Sequence, residues 1–256
     1  MSTAQGSIAI CSGNPGSTEK RHTAWDICEV IIGYGLILAV IWTERPMQRW
    51  LYWIALAWFA FSFAVPFAGW RALGCSIASF WRSWWVVGGA LLLAFAAGML
   101  ANSLHTLHHP DGAAGWVKAF GGYAVWAVMQ QFLLQGYFLL RLLRILPSRA
   151  TIAAIIAAAV FALAHLPNPI LTPITLLWGL AACFLFLKFR NIWPLAVAHA
   201  IFGICVAITV PGPVVHNMRV GMGYLTYRAP KHLHLNHKDQ SVSTVAWVRD
   251  EAPTRR

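Results

Sequence analysis

The stretch from Trp50 to Trp70, WLYWIALAWFAFSFAVPFAGW, carries no charged residue. A bilayer's hydrocarbon core is crossed by about 20 apolar helical residues, and this run has that length. Moving outward from it, six more runs read the same way: Ile27 to Trp42, Trp84 to Leu104, Phe120 to Leu140, Thr151 to Leu166 (a little short), Ile170 to Leu187 and Ile192 to Val210. Ala, Leu and Trp dominate them without period-two alternation, which predicts helices rather than barrel strands. Trp50, Trp53, Trp70, Trp81, Trp84, Trp85, Trp178 and Trp193 fall near run ends, as an interfacial aromatic belt requires.

Composition agrees. Of 256 residues 59% are hydrophobic and 11% charged, with a mean hydropathy of +0.61, whereas a soluble domain carries roughly 25% charged residues. Between Glu44 and Asp239 the sole carboxylate is Asp111. The expected fold is all-α: a polytopic transmembrane bundle of seven or eight helices. Its expected divisions are a disordered arm over 1–24, the bundle over 25–212 and a basic, mostly disordered tail over 213–256. The polar first 24 residues do not read as a secretory signal.

Lys20, Arg21, Arg71, Arg82, Arg141, Arg144, Arg149, Lys188 and Arg190 fall on one side of a seven-helix bundle. That predicts a cytoplasmic N-terminus, and puts the basic tail outside unless Met218 to Tyr227 re-enters the membrane. The net charge of +11 suits anionic lipid headgroups. No groove-reading motif accompanies it, so membrane lipids and not nucleic acid are the expected partners. Five cysteines show no paired spacing and no CxxC, which suggests neither a zinc ribbon nor a redox pair.

Polar groups within apolar spans are costly and mark candidate sites. They are Gln130, Gln131 and Gln135 in the fourth run, His165 near the end of the fifth and His199 in the seventh. Gln131 and Gln135 are four apart and share a helix face. Each of these side chains could alternatively be interhelical hydrogen-bonding glue. Three helices that each carry one near an end favour a shared site.

The order Gln130-Gln131-x-x-x-Gln135, Phe161-x-x-x-His165, His199-x-x-x-Gly203 resembles the CAAX protease and bacteriocin-processing family, the Abi or type II CAAX prenyl endopeptidases. That family shows Glu-Glu-x-x-x-Arg, Phe-x-x-x-His and His-x-x-x-Asn/Asp in this order. The resemblance covers residues 85–212. It implies a multi-pass protein of a bacterial plasma membrane that cleaves membrane or prenylated peptides. It makes Gln130, Gln131, His165 and His199 the catalytic positions, supported by Gln135, Asn168, Phe161 and Gly203. The departures bear on chemistry, because an amide cannot act as a general base near neutral pH. Zinc on His165 and His199 would lack the carboxylate of a usual three-ligand hydrolytic site.

Three outcomes follow. One is a family-fold protein that binds a lipidated or membrane peptide without cleaving it. A second is a hydrolase with a displaced carboxylate. Glu29, sharing a helix face with Asp26, is the candidate, against a plain interfacial charge. The third is other chemistry. His105-x-x-His108-His109 resembles one box of membrane di-iron oxygenases, but the further boxes are absent, and a polar loop ended by Pro110-Asp111-Gly112 is the simpler reading. A small-molecule transporter built on helices interrupted near Pro167, Pro169, Pro173 and Pro194 lacks the inverted repeat such folds use.

Overall fold

In a computed structural model the described residues are 15–64, 69, 73–75 and 81–228, with the side chains of 15–22 left aside. Among them all regular structure is helical, apart from an isolated bridge between Cys75 and Asn191. The expected all-α fold is therefore correct.

Helix α1 spans Pro15–Trp42 and α2 Met47–Ala64. After a 3-10 turn, Trp81–Ser83, comes α3, Trp85–Ser103. The next rod is continuous: α4, Gly112–Gln131, a π-helical segment, Phe132–Leu139, and α5, Leu140–Ile145. Then follow α6, Ala150–Leu163, α7, Leu171–Phe189, and α8, Trp193–Thr209.

Among the described residues three stretches are long and apolar enough to cross a membrane alone: Thr23–Trp42, Trp81–Ser103 and Leu171–Phe189. Two more, Ala150–Leu163 and Trp193–Thr209, are apolar but shorter. At 1.5 Å per residue α6 reaches roughly 21 Å, short of a hydrocarbon core of about 30 Å. The outward faces are apolar: Leu91, Leu92, Phe95 and Leu177 are exposed, as are Trp50, Trp53, Trp81 and Trp85. An apolar girdle of this kind is rare on soluble proteins and points to an integral membrane protein.

Inside, packing relies on small side chains. Ala153, Ala154, Ala157 and Ala158 on α6 are fully buried. A Cβ added to Gly179 of α7 would lie 3.3 Å from Ala158. Such surfaces let backbones approach closely where the hydrophobic effect between helices is absent.

Charge sets the position of α1. Asp26 and Glu29 lie one turn apart and meet Arg141 and Arg144, also one turn apart on α5. Arg141 Nε donates to Glu29 Oε2 at 2.7 Å, with both side chains 3% exposed. Arg144 donates through Nε and Nη2 to both Asp26 oxygens. Arg141 further donates to the carbonyls of Ser62 (3.0 Å) and Tyr137 (3.4 Å), and its guanidinium stacks 3.8 Å over the Tyr137 ring. The Tyr137 hydroxyl donates to the Glu29 carbonyl at 2.7 Å and accepts from Trp58 Nε1 at 3.1 Å. It passes α1 where Gly33 has no Cβ to obstruct it.

Two expectations change. Arg141, counted among loop charges, is buried because Glu29 and two carbonyls occupy its donors. The chain beyond residue 212, expected as tail, continues folded to residue 228 through α9 (Gly212–Val215), a 3-10 turn (His216–Met218) and α10 (Gly221–Leu225). It returns to the bundle, with Gly221 N–H donating to the Leu166 carbonyl at 2.8 Å. At φ +54 and against the Ile41 carbonyl, residue 221 has room only for glycine. Residues 1–14 and 229–256, the rest of the expected arm and tail, lie outside the described residues.

Removing one partner of a buried ion pair leaves an uncompensated charge, at a cost of about 3–5 kcal/mol. Glu29→Gln is expected to lower unfolding stability in bicelles by that order. Arg141→Met added to it should recover much of the loss. Equal stability of Glu29→Gln and the parent in denaturant titration would contradict the clamp.

Candidate functional site

The π-helical segment has wider turns than an α-helix, a feature often found at functional sites. Gln131 stands at its mouth and Gln135 within it, both fully buried. The Gln131 amide nitrogen donates to His199 Nδ1 at 2.9 Å. Gln131 Oε1 and both amide atoms of Gln135 have no partner among the described residues.

His199 is fixed by where α8 begins. Pro194 occupies its first turn, where a missing N–H costs nothing, and Asn191 Oδ1 accepts from Trp193 N–H at 3.0 Å. One turn on, His199 and Gly203 face α4. His165 lies just past the end of α6. Its Nδ1 donates to the Phe161 carbonyl at 2.8 Å, which leaves the Nε2 lone pair free. The Phe161 ring meets both imidazoles edge-on, at centroid distances of 4.9 Å to His165 and 5.8 Å to His199.

These residues share a cavity of about 300 Å³, at the lower end of ligand pockets, which hold roughly 300–1,000 Å³. Gln130, His165, His199, Phe161 and Gly203 line it. Tyr34, Ile37 and Ile41 of α1 form one apolar wall, and Met218 and Val220 of the returning segment close another side. Gln131 lies behind the wall and acts through His199. Gln135 is not a lining residue.

Three further candidates are placed by the structure. Glu29 does not line the cavity, because its carboxylate is held by Arg141. It is not positioned as a displaced base. Asn168 also stays out of the cavity. Its Oδ1 accepts from Ile170 and Leu171 N–H, capping α7, and its Nδ2 donates to the carbonyls of Val215 and Arg219. It ties the returning segment down. The His105 cluster does not converge: His108 Nδ1 pairs with the Thr106 carbonyl, and His109 pairs with that of Pro110 and stacks on Trp116.

Zinc does not fit the residues present. Among the described residues no group of three or more His, Cys, Asp or Glu could hold a metal ion. His165 and His199 are two ligands where a hydrolytic zinc site needs three, and an amide is a poor third. What the cavity offers instead is the His165 Nε2 acceptor, the His199 Nε2–H donor, the Gln130 amide and the Tyr123 hydroxyl, set against an apolar surround. Sequence reading missed Tyr123. The one signal for it is Gly203, a glycine where the resembled family carries Asn or Asp.

Residues 112–205 match the family model described as type II CAAX prenyl endopeptidase Rce1-like. The match contains all three motif segments, so the resemblance holds across them. No curated protein and no solved structure matches the chain.

Gln131 and Gln135, both fully buried, stand four residues apart on the same rod. Gln131→Glu alone would bury a carboxylate beside a neutral imidazole with no cation to balance it and is expected to destabilise the protein by about 3 kcal/mol. Gln131→Glu/Gln135→Arg restores a neutral i, i+4 pair and should regain more than half of that in the same unfolding titration. Additive losses in the double variant would show that the two positions do not interact.

Proposed function

We propose that this is a seven-pass membrane protein of CAAX endopeptidase type, with the rod from Gly112 to Ile145 counted as one crossing. Its cavity holds the apolar chain of a prenylated or membrane peptide, and peptide cleavage is weak or lost. The observation that carries this reading is the Gln131–His199 hydrogen bond, which backs a cavity that, among the described residues, no carboxylate lines.

In the family pattern the first glutamate of the motif, at the position of Gln130, activates water. A glutamine amide can orient water but cannot take its proton. His199 Nε2–H is available to polarise a carbonyl, and His165 Nε2 is left as proton acceptor. This set has an acceptor and a donor but lacks the carboxylate that would stabilise an imidazolium once it formed. Positioned general-base catalysis contributes roughly 10²–10⁴-fold, so turnover well below that of a carboxylate-bearing relative is expected. The apolar surround supports retention of a hydrocarbon chain whether or not cleavage occurs.

The test uses the full chain in nanodiscs with a farnesylated peptide. The parent protein should retain the peptide and release little product. Gln130→Glu/Gln131→Glu/Gln135→Arg should raise cleavage by roughly 10²-fold, and His199→Ala in that background should abolish the gain. A parent that cleaves rapidly, or one that fails to retain the peptide, would sink the proposal.

A further inference from the structure

Tyr123 lies on α4, two helical turns before Gln131, and its ring reaches across to α8. Opposite it, residue 203 is glycine. A Cβ built there would overlap the Tyr123 hydroxyl and the ring carbons beside it. The tyrosine therefore fills the volume that any side chain at 203 would need. Glycine inside a helix is destabilising by roughly 0.5–1 kcal/mol relative to alanine, so its presence in mid-α8 calls for a packing reason, and the tyrosine supplies it.

Position 203 follows His199 by one turn, on the face that lines the cavity. In the resembled family it carries Asn or Asp. Here the polar group arrives from the opposite helix. Comparison with Tyr137 shows that Tyr123 is not simply another core tyrosine. Tyr137 is fully buried and its hydroxyl is satisfied by Glu29 and Trp58. Tyr123 lines the cavity and makes no hydrogen bond to a described residue.

We infer that Tyr123 is a ligand-positioning residue: its hydroxyl replaces the missing side chain at 203 and donates a hydrogen bond to a carbonyl oxygen of a peptide held in the cavity. His199 Nε2–H is a second donor on the same side of the cavity. Two donors set beside an apolar surround suit a carbonyl attached to a long hydrocarbon chain. This inference rests on the proposed occupancy of the cavity by a prenylated peptide.

The experiment measures binding of two radiolabelled probes to the full chain in nanodiscs: a farnesylated tetrapeptide, and farnesane, which has the hydrocarbon chain but no carbonyl. Tyr123→Phe should weaken the peptide by about tenfold, the loss of one hydrogen bond, and leave farnesane unchanged. Tyr123→Ala/Gly203→Asn, which returns the polar group to α8, should bind the peptide more tightly than Tyr123→Ala alone. Unchanged peptide binding in Tyr123→Phe would overturn the role of the hydroxyl. Loss of both probes would reduce Tyr123 to a packing residue. Absence of rescue by Gly203→Asn, with farnesane still bound, would overturn the replacement. A parent protein that binds farnesane but not the peptide would overturn the underlying reading instead.

Discussion

The ion pair between Glu29 and Arg141 is the contact on which the arrangement of the bundle turns. Two full charges, both almost wholly removed from solvent, can persist only in one geometry. Arg141 must also reach the carbonyls of Ser62 and Tyr137. That requirement brings α1, α2 and the rod ending in α5 together at one point. The Arg144–Asp26 pair one turn away fixes the rotation of α1 about its own axis. With both pairs made, the next turns of α1 present Tyr34, Ile37 and Ile41 to the cavity. The wall of the candidate site thus depends on charges a few turns earlier on the same helix.

The site itself contains polar groups without formal charge. The polar side chains of the rod beside His199 are amides, and the charged pairs stand instead at the α1–α5 contact. Neutral amides avoid the desolvation penalty that a lone carboxylate would incur. They also give up the capacity to take a proton. The three unpartnered amide atoms of Gln131 and Gln135 are unusual, since most buried polar atoms find a partner. Gln131 sits beside His199 and Gln135 lies within the widened helical turns, where a departure from local rules is most often functional.

Much of the helical order was legible from hydropathy. The apolar runs overlap the helices from α1 to α8, because length and composition decide where a backbone can satisfy itself in lipid. The two histidines and the glutamine pair were legible as candidates because polar groups are costly there. The pairing of Glu29, weighed from sequence as a displaced base or a plain interfacial charge, was not legible: its helix and face were evident, but its partner stands more than a hundred residues away in sequence. The side-chain bonds of Asn168 were not legible for a similar reason, since they go to a segment that hydropathy assigned to a tail. Tyr123 gave no signal of its own, as one tyrosine among six in an apolar run.

The sequence by itself determined that this is a helical membrane protein with a carboxylate-free set of polar residues on three of its helices. Those properties follow from composition and spacing along the chain, which act locally. The tertiary structure alone decided that Gln131 holds His199, that Glu29 is consumed by Arg141, and that Gly203 makes room for Tyr123. Each of these depends on which faces of distant helices meet, and that is fixed by packing and by the pairing of buried charge.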